Sequence, residues 1–117
     1  MTDDQRIRFA EALKRVAGEE DTLQVLAQIT SEDAPELLSN LDDAIANEDT
    51  VVVAQIAHAL KGMLSVFETG DPVSELQPII DAARRRDVES MRSLYRANSR
   101  KIQALLNEID AVSLVEN

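Results

Sequence analysis

The chain of 117 residues contains no cysteine, which excludes disulfides and thiolate metal sites. Its only histidine, His58, leaves too few ligands for a conventional zinc centre. Tryptophan is absent, aromatic residues make up 3% of the chain, and there are three glycines and three prolines. That poverty of turn formers and strand-favouring residues argues against a sheet protein, while the abundance of Ala, Leu, Glu, Arg and Gln favours helices. Long hydrophobic runs are missing too: Val51 to Ala54 is among the longest, far short of the roughly 20 residues that cross a bilayer. The start, Met1-Thr2-Asp3-Asp4, has neither the basic region nor the apolar core of a signal peptide. A cytoplasmic location, with no membrane attachment, is the expectation. No glycine-rich phosphate loop, carboxylate metal cluster or nucleophile elbow is visible, so the chain is expected neither to bind nor to hydrolyse ATP.

Basic residues are in short supply, and unevenly. The formal net charge is -10, and residues 1–50 hold 13 acidic and 4 basic side chains against 9 and 8 in the remainder. Such a field repels nucleic acid and anionic lipid. The acidic half could steer a basic partner surface, or it could simply be the solvated faces of helices.

Apolar periodicity organises the chain into helices. A first helix is predicted from about Asp4 to Ala17, with Ile7, Phe9, Leu13 and Val16 inward and Gly18 as its stop. A stretch from Thr22 to Ile29 is followed by another from about Ala34 to Ala46, with Asp33 as a cap and Pro35 in the first turn; one continuous kinked helix is the alternative. Asp49 and Thr50 can cap a helix that continues to about Thr69 and ends at Gly70, after which Asp71-Pro72 starts another that reaches Arg86. The three arginines there lie near the negative end of the helix macrodipole. A last helix is predicted from about Val88 to Val112, where Arg92, Arg96 and Arg100 form either a basic stripe or a solvated face. Short connections between long amphipathic helices imply an all-α fold, an antiparallel four-helix bundle with an additional N-terminal helix. A single domain over 1–117 is expected, since no linker or repeat interrupts the pattern.

One helix carries the chemistry. At 100 degrees per residue, Ile56, Ala57, Leu60, Leu64 and Phe67 fall within about 60 degrees of Val53, whereas His58 lies roughly 140 degrees away. The imidazole is therefore on the outward side of the helix, with Lys61 one turn later. An exposed histidine by itself says little, but Gly62 adds information. A glycine in mid-helix costs about 1 kcal/mol relative to alanine, and it points away from the apolar stripe, so helix packing is a poor reason for it. Space beside the imidazole for a tetrahedral phosphoryl group is a better one, with Lys61 as a mobile cation able to neutralise it.

The segment Ala57-His58-Ala59-Leu60-Lys61-Gly62 resembles the motif of the histidine phosphotransfer (HPt) family, His-x-x-Lys-Gly, usually with Leu or Ile before the lysine. The resemblance extends along nearly the whole chain: Ala34-Pro35-Glu36-Leu37-Leu38 is similar to the family's preceding helix, Ala46-Asn47-Glu48-Asp49 to its connection, and Ala82-Ala83-Arg84 to Asp87 to its later turn. It implies that His58 is the phosphoacceptor, Lys61 the phosphate-stabilising cation and Gly62 the steric relief. Two positions depart from the family's usual pattern. Glu68 stands where a glycine often follows the phenylalanine matching Phe67, and Ile80 stands where many members place a Gln or Glu near the histidine. Gln77 is an alternative source of that polar contact.

The implied reaction suits an imidazole, which near neutral pH has a ring nitrogen free to attack phosphorus. The partners implied are response-regulator receiver domains, together with a hybrid sensor histidine kinase, and the magnesium belongs to the receiver, so this chain binds no cofactor of its own. Val51, Ala54, Gln55 and Ser65 are candidates for the docking surface around His58. The chain would act as a monomeric carrier between two receivers. Alternatives are the substrate domain of a chemotaxis-type kinase and a phosphate-independent helical interaction module.

Overall fold

A computed structural model describes residues 1–113, all of whose regular structure is helical. Six α-helices follow in order: α1 (Asp3–Arg8), α2 (Ala10–Arg15), α3 (Glu20–Ala46), α4 (Thr50–Leu64), α5 (Leu76–Arg84) and α6 (Val88–Val112), with a single 3-10 turn (Val73–Glu75) before α5. Helix α3 packs on α4 and α6, and α5 packs on α4 and α6, so the four longer helices form a ring of neighbours. Leu23, Leu41, Leu60, Ile79, Ile80, Met91, Ile102 and Ile109 are fully buried inside it. Each such side chain contributes about 1.5–3 kcal/mol by leaving water.

The segment expected as one N-terminal helix is two short ones, broken at Phe9, whose backbone leaves the helical region (φ -107, ψ 29). The break changes which side chains face inward: Phe9 and Ala12 are buried, while Ile7, expected inside, is exposed. Thr2 opens α1 with a capping box in which its side chain and that of Gln5 each bind the other's backbone N–H. Gly18 does end this region, at φ 77.

Further along, α3 is continuous across Pro35, the alternative reading of that stretch. A proline in a helix interior costs about 3 kcal/mol. Against that, the buried stripe of Leu23, Ala27, Thr30, Ala34, Leu38, Leu41 and Ile45 runs without interruption past it. Burial of the stripe on both sides outweighs the local break, and Asp33 is left exposed instead of capping. Tyr95 of α6 donates a hydrogen bond to the Asp42 carboxylate, tying α6 to α3. Burial first, and then that carboxylate, push the Tyr95 pKa up.

Helix α4 starts as expected, with the Asp49 carboxylate accepting the Val52 N–H at 3.2 Å, but it stops at Leu64, not near Thr69. The Ser65 hydroxyl donates to the Lys61 carbonyl at 2.6 Å, and the chain turns so that Phe67 is buried. Gly70 does not adopt a left-handed conformation. Asp71 does not cap α5 either: its carboxylate binds Lys101 at 3.3 Å. Pro72 and Val73 turn into the core, and α5 begins only at Leu76. In both places the burial of apolar side chains overrides a local signal for a helix terminus. Asp87 caps α6 by accepting the Ser90 N–H at 3.1 Å.

Candidate functional site

The apolar stripe of α4 anchors the site: Val53, Ala57, Leu60 and Leu64 are buried, which turns the opposite side of the helix to solvent. His58 is exposed there, with Gly62 exposed one turn further on and Lys61 half-buried between them. A β-carbon built on Gly62 would meet nothing within 4 Å, so no neighbouring helix requires glycine at this position. The space at this position lies outside the folded chain, one helical turn along from His58.

Lys61 is held at a defined place. Its Nζ donates to the Gln77 Oε1 of α5 at 2.7 Å, and the Gln77 Nε2 in turn donates to the Asp81 Oδ1 at 2.9 Å. An ammonium has three N–H donors, so one bond to Gln77 leaves two for an anion. Gln77, the alternative partner for the imidazole, is thus engaged with Lys61 and Asp81. Ile80 is fully buried in the core and offers His58 no polar group.

His58 also opens onto a shallow cavity of about 410 Å³ between the first half of α4 and the end of α5. Three of the four expected docking residues, Val51, Ala54 and Gln55, line it with the histidine. Lys61, Gly62 and Ser65 are not among the cavity's walls; the Ser65 hydroxyl is committed to the Lys61 carbonyl. The walls contributed by α5 and its end, Ala83, Arg84 and Arg86, are not evident as site residues in the sequence, where the arginines mark a helix end and a turn similar to the family's. The available signal was their number: Arg84, Arg85 and Arg86 form the one run of three like charges among the basic residues.

A comparison with protein families matches the Hpt domain over residues 25–113. The chain belongs to the Hpt domain family. An Hpt domain implies histidine phosphotransfer in two-component signalling, together with receiver domains and histidine kinases. No curated protein and no solved structure matches the chain.

Residues 1–24 lie outside the Hpt match, and their contacts account for the departure at Glu68. Arg8 of α1 bridges the carboxylates of Glu68 at 2.9 Å and Glu108 at 2.8 Å. Phe9 meets Phe67 edge to face with ring centroids 6.1 Å apart, and Arg15 donates to the Val66 carbonyl at 2.8 Å. The second Glu68 oxygen accepts the Gly70 N–H at 3.0 Å. That backbone bond, followed by Arg8, holds the Glu68 pKa below the usual carboxylate range. In this Hpt domain the position serves to fasten the N-terminal helices. Among the described residues no group of three or more His, Cys, Asp or Glu is placed to hold a metal ion, and no helix is long and apolar enough to cross a membrane.

Proposed function

We propose that this Hpt domain is an intermediate carrier in a phosphorelay, taking a phosphoryl group onto His58 from the aspartyl phosphate of one receiver domain and giving it to a second. The observation that carries this reading is the exposed position of the only imidazole in the chain, with Lys61 one turn away and open space at Gly62. The Nε2 lone pair attacks phosphorus in line. The P–N bond forms as the P–O bond to the aspartate breaks, and the carboxylate leaves with its electron pair. Transfer of this kind depends on positioning and charge neutralisation. Lys61, oriented by Gln77, supplies a cation for the equatorial oxygens, and Gly62 admits the partner's active site. The receiver contributes the aspartate and the magnesium, so this chain is a substrate with no cofactor of its own.

The remaining features fit the same reading. The ring of α3, α4, α5 and α6 is an antiparallel four-helix bundle extended by α1 and α2, a single domain spanning 1–117. It works as a cytoplasmic monomer alongside a hybrid sensor histidine kinase. The deciding experiment incubates the chain with a panel of phosphorylated receiver domains. Acid-labile phosphate is expected on the wild type and none on His58→Gln. A wild-type chain that takes phosphate from no receiver, but does take it from a chemotaxis-type kinase, would move the assignment to a kinase substrate domain. Failure with both donors would leave a phosphate-independent interaction module.

A further inference from the structure

The cavity beside His58 has an apolar floor, made by Val51, Ala54 and Ala83, and a cationic edge, made by Arg84 and Arg86. Acidic side chains outnumber basic ones 22 to 12 in this chain, and Arg6, Arg8 and Arg92 all sit in ion pairs. Like Arg15, Arg85, Arg96 and Arg100, Arg84 and Arg86 pair with no carboxylate among the described residues; of these six arginines, those two line the cavity that His58 opens onto. Asp49, next to the Thr50 wall of the cavity, uses its carboxylate to cap α4. A basic edge is thus left unneutralised beside the phosphoacceptor of a strongly acidic protein.

The backbone at the end of α5 shows how Arg86 is held. Helix α5 ends in a left-handed turn: the Arg86 N–H donates to the Ala83 carbonyl at 3.0 Å and the Asp87 N–H to the Ala82 carbonyl at 2.9 Å. The residue in the left-handed slot is Arg86 itself, at φ 58. Glycine fills such slots without the steric cost a β-carbon brings. Glu48 occupies the same slot at the end of α3, at φ 56, and there the side chain is used, binding Arg92 at 2.7 Å. Arg86 bears the same strain with no intramolecular ion pair in return. Ala17 fills such a slot at φ 55 with no functional group at all, so the backbone alone assigns Arg86 no use; its place on the wall of the cavity that His58 opens onto does.

We infer that Arg84 and Arg86 form a docking edge for the receiver domain, gripping a carboxylate that the receiver presents next to an apolar side chain seated over Val51, Ala54 and Ala83. The inference rests on the phosphotransfer reading and adds the partner's chemistry. The cavity is several times larger than a phosphoryl group, which favours a protein side chain as its occupant. Since the chain as a whole is anionic, an acidic receiver rim is attracted at this edge and repelled by the acidic N-terminal half. That asymmetry orients the encounter so that the receiver aspartate meets His58.

The test uses the full chain and the receiver that phosphorylates it most rapidly, with the receiver aspartate held in a beryllofluoride complex as the phosphate mimic. The double variant Arg84→Ala/Arg86→Ala is expected to bind about tenfold more weakly, with a flatter dependence on salt, and to keep the phosphohistidine half-life of the wild type. Arg85→Ala removes the same type of charge from the same turn, but Arg85 lines a different cavity, with Pro78 and Glu89; its affinity should stay within about twofold. Arg86→Gly should raise the melting temperature, by relieving the left-handed backbone, and still weaken binding by about threefold. Wild-type affinity in the double variant, or an equal loss in Arg85→Ala, would overturn the docking role. So would a shortened phosphohistidine half-life at unchanged affinity, which would place the arginines on the phosphoryl group instead. A wild-type chain that accepts phosphate from no receiver defeats the phosphotransfer reading and this inference with it. Normal wild-type transfer with normal binding by the variants defeats this inference alone.

Discussion

Around Phe67, just beyond the end of α4, the chain is densely fastened: Phe9 packs on its ring, Arg8 joins Glu68 to Glu108, and Arg15 reaches the Val66 carbonyl. Around His58, on the same helix, the imidazole and Gly62 face solvent, and a β-carbon at Gly62 would touch nothing. The segment that follows α4 is committed to holding the molecule together, and the open face of α4 presents groups that contribute little to folding. Side chains on the open face can consequently be changed with small structural effect, and the proposed chemistry there can be tested without the confounding loss of the fold. Helix α4 bridges the two: its buried stripe fixes the orientation of the exposed face.

Each of five substitutions puts this contrast at risk. The largest effect is expected for His58→Gln, with complete loss of acid-labile phosphorylation and a change in unfolding free energy within about 0.5 kcal/mol; urea denaturation beside a transfer assay measures both. Substantial destabilisation would show that the open face is structural after all. Phe9→Ala should do the reverse. It removes a ring that is 1% exposed, so stability should fall by about 3 kcal/mol, while the transfer rate of the folded fraction stays at the wild-type level.

Lys61→Ala comes next. Transfer should slow by about tenfold, equivalent to about 1.4 kcal/mol of charge stabilisation, and Lys61→Arg should recover part of it in rapid-quench measurements. Full activity in the alanine variant would remove Lys61 from the proposed site. For Gly62→Ala the two readouts should move in opposite directions. The helix gains about 0.5–1 kcal/mol of stability while transfer slows, because the added methyl group occupies the space reserved for the partner. A faster or unchanged transfer rate would leave the glycine without a function.

The smallest effect concerns acid. The folded-state pKa of Glu68 is depressed by the Gly70 N–H and then by Arg8, so its contribution to stability is present above the ordinary carboxylate pKa. It is lost as pH falls from there through the lowered value. Stability profiles of the wild type and Glu68→Gln should therefore converge as the solution is acidified below about pH 4.5. Parallel profiles would mean that Glu68 does not fasten the N-terminal helices.

Much of the fold was legible because helical periodicity is a local signal. The boundaries of α6, the cap at Asp49 and the outward position of His58 all follow from spacing and from residues within one turn. Elsewhere local signals competed with distant ones. Asp33-Ala34-Pro35 reads as a helix start, yet the stripe on either side of it packs against α4 and α6 and keeps α3 whole. Ile7 fits an amphipathic pattern, but the break at Phe9 leaves it exposed. The sequence also could not show that Gln77 would bind Lys61, a contact across 16 positions.

The sequence by itself determined that this protein is helical, that its only imidazole stands outside the apolar stripe of its helix, and that a lysine and a glycine follow within one turn. Those are properties of residues three and four apart, which an α-helix brings together wherever it occurs. Only the tertiary structure decided what surrounds that imidazole. The pairing of α5 with α4 brings Gln77 to Lys61 and sets Arg84 and Arg86 on the edge of the His58 cavity. The docking of α1 and α2 gives Glu68 its partner. These neighbours are separated by tens of residues along the chain, and their meeting depends on how the helices bury their apolar faces against one another, which no local spacing encodes.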